Sequence, residues 1–207
     1  TDRVAINIQS SEIDSTLTDF PVYVDLSDMP AAFWDDVASD GRDIRVTNSS
    51  DQELAREIVS INNVGEIGEM YFRADSIATS TDTTFYMYYN NPAAVEYQEN
   101  YVYGSQAVWS NGYAGVWHLD EFGNNDVGGF KDATANGNDG TGVSFPPALE
   151  KGQIGGSRPF SGTDERIIVP PDSSLEFTES MTKSVWVNKG ETQVNSFARV
   201  LEYSNNG

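Results

Sequence analysis

The single histidine of this 207-residue chain lies in Trp117-His118-Leu119-Asp120-Glu121, two positions before a carboxylate. An imidazole oriented by a carboxylate is part of acid–base or nucleophilic machinery, which also needs a nucleophile or a metal. No Gly-x-Ser-x-Gly motif supplies a nucleophile. On a strand, His118 and Asp120 would share one face. Paired carboxylates such as Asp35-Asp36 and Glu66 with Glu69 are the raw material of glycoside hydrolysis, but 32 acidic residues make such pairs inevitable.

Three other groups suggest binding. The loop from Asp132 to Thr141 (Asp132-Ala133-Thr134-Ala135-Asn136-Gly137-Asn138-Asp139-Gly140-Thr141) has the oxygen-rich, glycine-punctuated composition of a calcium loop. Asp132 and Asn138 are its candidate ligands, although the closing Glu of an EF-hand is missing, and Asn and Asp also serve such loops as turn formers. Tyr86 and Tyr88 project from one face of a strand, where tyrosine rings can stack on sugars. Asn48-Ser49-Ser50 fits the glycosylation pattern.

These residues are positioned by a chain of period two. Val4, Ile6 and Ile8 alternate with Ala5 and Asn7, and Val22, Val24 and Leu26 alternate with Tyr23 and Asp25. Ile44 and Val46 flank Arg45, Met70 and Phe72 flank Tyr71, and Phe85, Met87 and Tyr89 oppose Tyr86 and Tyr88. Short alternating runs bounded by Ser, Asp, Asn, Gly and Pro predict an all-β fold of sandwich type. Further strands are expected at Val116–Leu119, Glu165–Val169, Met181–Asn188 and Ala198–Tyr203. One short helix is expected from Pro30 to Val37, with Asp28 as its cap. Pro92 to Ser105, with Tyr97, Tyr101 and Tyr103, reads as a connection between two domains that packs against one or both.

Composition narrows the function classes. Twelve Lys+Arg against 32 Asp+Glu give a net charge of −20, a surface that repels nucleic acid and anionic membranes. Only four of the twelve cations are lysines, a balance expected of a marine or halophilic source and equally of an ordinary acidic secreted protein. Cysteine is absent, so there is neither a disulfide framework nor a thiolate metal site. No apolar run approaches the roughly 18 residues of a membrane helix, and no signal peptide is visible.

Two resemblances add to this reading. Asp19-Phe20-Pro21-Val22-Tyr23-Val24, Asp40-Gly41-Arg42-Asp43-Ile44-Arg45-Val46-Thr47 and Thr83 to Pro92 resemble an uncharacterised prokaryotic β-sandwich family known only as a domain of unknown function. Its members commonly precede laminin-G-like domains in secreted or surface proteins. Asn90-Asn91 stands where that family usually has Gly-Asn, and Asn tolerates the left-handed conformation such a turn needs. Gly115 to Glu121, the Asp132–Thr141 loop, Pro159 to Val169 and Lys183-Ser184-Val185-Trp186-Val187 resemble the opening of a laminin-G-like, concanavalin-A-like jelly roll. That resemblance makes the His118 segment a core strand and gives His118 a structural role. By analogy with calcium sites on the rims of such sandwiches, it also makes Asp164 a candidate calcium ligand.

The resulting expectation is two consecutive β-sandwich domains: residues 1–104, then residues 105–207 as the N-terminal part of a jelly roll. The second stretch is short for a whole domain of that type, so a longer polypeptide or neighbouring subunits are expected to complete it. The expected function is non-enzymatic extracellular binding or adhesion, with glycan or surface protein as partner and calcium as a modest cofactor. A structural subunit of an extracellular assembly and an accessory domain of a polysaccharide-degrading enzyme are the alternatives. Neither nucleic-acid binding nor membrane insertion is expected.

Overall fold

The computed structural model describes residues 2–122, 125–146, 149–161, 164–188 and 200–202. It is mostly β and divides into two compact units, Thr1–His118 with Lys131–Asn138, and Leu119–Phe130 with Asp139–Gly207. The boundary expected after residue 104 therefore falls inside the first unit. The reason is packing: the segment up to His118 contributes side chains to the first unit's own second core, described below.

In the first unit, the period-two runs become β1 (Asp2–Ile8), β2 (Leu17–Asp25), β3 (Arg45–Thr47), β4 (Glu53–Leu54), β5 (Arg56–Asn62), β6 (Ile67–Ile77) and β7 (Thr83–Tyr89). They form two antiparallel sheets, ordered β1-β7-β3-β4 and β2-β6-β5. The chain passes from one sheet to the other at Ala55, whose carbonyl accepts the Arg73 N–H at 2.9 Å. Alternation places Val46, Phe85 and Met87 of one sheet against Val24, Met70, Phe72 and Ala74 of the other in one buried cluster. Phe72 and Phe85 meet edge to face at 4.9 Å. Such a core is sandwich-like, and its apolar burial is the main force holding the sheets together.

The short helix α1 (Ala31–Asp36) plugs one end, burying Phe33 and Trp34. Its N-cap position is held by Pro30 and makes no side-chain cap bond, so Asp28 does not act as expected. Asp43 locks the same region. It is buried, and its carboxylate accepts N–H bonds from Ala38 (3.0 Å), Asn90 (2.9 Å) and Asn91 (3.2 Å). Asn90 has a φ of 62°, a left-handed value that asparagine tolerates.

The second unit holds two small antiparallel pairs. One is β8 (Thr141–Val143) with β11 (Arg166–Ile168), the other β9 (Glu150–Lys151) with β10 (Gly156–Ser157). A bridge joins Phe130 to Gly140, and Phe130, Phe145 and Phe160 stack edge to face in series. β11 realises the run expected at Glu165–Val169. Val116–Leu119 and Met181–Asn188 do not form strands. Period-two patterning makes a strand only where a neighbouring edge offers hydrogen bonds, and Leu119 turns away with a φ of 60°. Most of the strand expected at Ala198–Tyr203 lies outside the described residues.

Replacing Asp43 with Ala removes the charged acceptor for three backbone donors, each such bond being worth about 1.5–3 kcal/mol before the chain relaxes. Urea denaturation is expected to show a loss of about 3 kcal/mol or more, with Asp43→Asn intermediate between the two.

Candidate functional site

The two sheets of the first unit differ in what covers their outer faces. On the three-stranded sheet, Tyr23, Tyr71 and Glu57 are cross-strand neighbours on the outward side. The next stretch of chain packs over them. It begins with the one-turn helix α2 (Ser105–Val108), and Val108, Trp109 and Ala55 form a second buried cluster with Tyr71, Val116 and Ala133 packed against it. Glu57 Oε2 accepts the indole N–H of Trp109 at 2.8 Å and lies 3.1 Å from His118 Nε2. His118 also stacks on Tyr71 at 6.0 Å. The carboxylate partner of the histidine is thus Glu57, 61 residues away, and both groups serve the packing of this layer. Burial pushes the Tyr71 hydroxyl up to about 12, with the Glu57 and Glu69 carboxylates adding to it. Tyr23 is also pushed up to about 12, first by burial and then by Glu69 and Asp25.

The loop singled out for calcium completes the same layer. Asp132 is 7% exposed. Its Oδ1 accepts the N–H groups of Val116 (2.9 Å) and Thr134 (3.0 Å). Its Oδ2 accepts Thr134 Oγ1–H (2.8 Å) and the Asn138 N–H (2.9 Å). Four donors occupy the roughly four lone-pair directions a carboxylate offers, so the order of this loop is accounted for by protein groups. Asn138 donates from Nδ2 to the Ala114 carbonyl at 2.8 Å, and its own carbonyl accepts the Trp117 indole N–H at 2.9 Å. Asp132 and Asn138 come together, while Asp164 belongs to the second unit, where its carbonyl accepts from Arg166 at 3.2 Å. Among the described residues, no group of three or more His, Asp or Glu side chains is placed to hold a metal ion. Asn48 is buried, and its Nδ2 donates to Gln52 Oε1 (3.0 Å) and Asp75 Oδ2 (2.7 Å), which commits the nitrogen a glycan would need.

The outer face of the four-stranded sheet is open over β1 and β7, where Arg3, Ala5 and Asn7 are exposed. Register puts Arg3, Ala5 and Asn7 of β1, Thr84, Tyr86 and Tyr88 of β7, Arg45 and Thr47 of β3 and Glu53 of β4 on it. Tyr86 and Tyr88 are half-exposed, and the Arg3 guanidinium sits 4.6 Å over the Tyr86 ring. Arg3 also donates to the Tyr88 hydroxyl, which donates to Asp51 Oδ1, both at 3.4 Å. Thr84 Oγ1 donates to Asn7 Oδ1 at 2.8 Å. The result is a broad surface of aromatic faces among hydroxyl, amide and carboxylate groups.

At the Tyr88 end of this face, Arg45 pairs with Glu53 at 3.3 Å and donates to the Arg42, Ile44 and Val95 carbonyls at 2.7–2.8 Å. Its guanidinium lies 4.3 Å from the Tyr97 ring. Tyr97, Tyr101 and Tyr103 form a cluster with centroid separations of 5.2–5.9 Å. The segment expected to be an interdomain connection is therefore part of the first unit. Arg56 explains why. Its side chain is 3% exposed, donates to both oxygens of Glu96 at 2.9 and 2.7 Å and to the Ile44 carbonyl at 2.9 Å, while its backbone N–H donates to the Tyr103 carbonyl. Sequence reasoning missed this pair, although a signal existed: Arg56 shares the core-facing register of Ile58, and a cation there demands a partner.

Residues 40–131 match the model of one family. It is described as Domain of unknown function (DUF2341). The matched region holds Asp43, Arg45, Arg56, Glu57, Tyr86, Tyr88, Tyr97 and His118, so it includes part of the open face, without β1, and part of the layer covering the opposite sheet, without Asp132 and Asn138. Comparison with curated proteins and with solved structures returns no match.

The raised tyrosines carry a pH dependence. A hydroxyl whose folded pKa exceeds its unfolded value near 10 adds stability that is whole below about pH 10 and lost as pH rises toward about 12. Tyrosinate absorbance is expected to show two tyrosines ionising last, near pH 12. Glu57→Gln should lower the midpoint of one of them, Tyr71, and leave Tyr23 in place.

Proposed function

We propose that this chain is a non-enzymatic binding and adhesion module of a larger secreted or cell-surface protein. It holds a glycan on the open outer face of its first unit. The observation that carries the reading is the contrast between the two sheets. One outer face is sealed by α2, Trp109 and His118, whereas the other leaves Tyr86 and Tyr88 partly exposed among Arg3, Asn7 and Thr84. Tyrosine rings offer flat apolar area at low entropic cost, and the neighbouring amides and hydroxyls match a sugar's own. The engagement of the only histidine in packing, through Glu57, favours binding without turnover. Likeness of the second unit to laminin-G-like domains remains part of this proposal, as does the extracellular setting.

A structural role in an extracellular assembly is the second reading. It is favoured by Val185, Trp186 and Val187, an apolar β-prone run in which Trp186 is 74% exposed.

A glycan array probed with the chain, with calcium and with chelator, tests the first reading. Binding of neutral glycans is expected in both conditions, because the contacts on this face are ring faces, hydroxyls and amides. Tyr86→Ala should weaken it by about tenfold, or about 1.4 kcal/mol. Absence of binding in every condition contradicts the reading. Light scattering on the same sample decides the second, which a strict monomer contradicts.

A further inference from the structure

The tyrosines of the open face and those of segment 92–104 belong to one surface. Tyr88 of β7 and Arg45 of β3 are direct cross-strand partners on the outer side. Arg45 then lies 4.3 Å from the Tyr97 ring and 3.3 Å from Glu53, the outward residue of β4. From Tyr97 the rings continue to Tyr101 at 5.2 Å. An aromatic path therefore runs across the strands, from β7 over β3 toward β4, with each strand adding about 4.8 Å. Tyr86 and Tyr88 lie at one end and Tyr97, Tyr101 and Tyr103 at the other, with Arg45 bridging them.

The far end is preorganised. Arg56 grips Glu96 with two hydrogen bonds, Arg45 holds the Val95 carbonyl, and the Tyr101 and Gly104 N–H groups close turns onto Gln98 and Tyr101 at 2.9 and 2.8 Å. Gly104 is required for this shape, because a Cβ there would collide with the Gln98 carbonyl oxygen. Tyr101 nevertheless remains 49% exposed, with Val95 and Val102 also exposed beside it. A connecting segment that needed only to span a gap would not need a buried arginine, gripping it through Glu96, to hold an aromatic side chain out in water. Aromatic groups held rigidly outward are characteristic of binding surfaces.

We infer that the two aromatic platforms are subsites for one linear, uncharged polysaccharide, which crosses the strands and is read along its length rather than at a chain end. This rests on the glycan reading above and adds the ligand's form and charge. Uncharged sugars fit because the chain carries −20, which disfavours polyanions, and because Arg45 is already committed to Glu53 and three carbonyls. Extended chains fit because one platform lies on β7 and the other, in segment 92–104, begins where the Tyr97 ring meets Arg45 of β3, which pairs with Glu53 of β4. When two subsites are joined in one ligand, occupying the first raises the effective concentration at the second.

The test is calorimetric titration of the whole chain with β-1,4-linked glucose, mannose and xylose oligomers, from disaccharide to octasaccharide. In at least one series, affinity is expected to rise by about tenfold or more between disaccharide and hexasaccharide. Tyr101→Ala should abolish that rise, whereas Tyr86→Ala should weaken every length. Tyr101 is exposed and Tyr86 lies on the outer face, away from the core, so both variants are expected to fold, and circular dichroism checks it. Length-independent affinity, or a Tyr101→Ala protein that keeps the full rise, overturns the inference while sparing the glycan reading. Failure of every oligomer to bind contradicts both. If Tyr101→Ala changes only self-association in light scattering, the surface is a protein interface and the inference is overturned.

Discussion

One buried cation, Arg56, determines the shape of the surface on which the functional account rests. Its guanidinium lies within the sandwich and reaches Glu96 and the Ile44 carbonyl, while its N–H reaches Tyr103. Placing a charge there is costly unless its donors are satisfied, and the chain satisfies them with the two segments that flank the open face. The Arg42–Ile44 turn in turn fixes Arg45 through two carbonyls. Segment 92–104 gains its fold, and its tyrosines their outward position, from the same cation. Hydrophobic burial holds the sheets together, but it does not specify where a surface loop lies; directional hydrogen bonds do.

The opposite sheet shows the same principle with its polarity reversed. Glu57 is a buried carboxylate whose partners, the Trp109 indole and the His118 imidazole, come from the segment that covers it. Asp132 then anchors the next loop with four protein donors. Arg56 and Glu57 are adjacent on β5 and so point to opposite faces. One organises an open surface and the other seals a covered one. The family match over residues 40–131 takes in Arg56 with Glu96 and Glu57 with Trp109 and His118, and stops short of Asp132.

Much of the first unit was legible in the sequence because alternation is a local property. The runs at Val4–Ile8, Val22–Leu26, Met70–Phe72 and Phe85–Tyr89 announced strands and their buried faces, and Asn90 announced its turn. What alternation cannot encode is the partner of a lone charge. Nothing near Glu57 in sequence indicates His118, and nothing near Arg56 indicates Glu96, 40 residues on. Asp120 is the nearer carboxylate in sequence, yet Glu57 lies 3.1 Å from the imidazole. Likewise Asp132 has the composition of a cation loop, yet the same oxygens are taken up by local N–H groups, a competition that composition does not decide. In the second unit, Val185, Trp186 and Val187 have strand character without a strand, since strand formation requires an edge as well as a pattern.

The central claim is that a neutral glycan lies across the outer face of the four-stranded sheet. The most direct measurement is a titration of the isotopically labelled chain with the mixed neutral oligosaccharides, followed by amide chemical shifts. The account predicts shifts concentrated on Tyr86, Tyr88, Arg45 and residues 95–103, with Trp109, His118 and Ala133 unmoved. Shifts confined to the covered layer or to the second unit, or none at all, would contradict it.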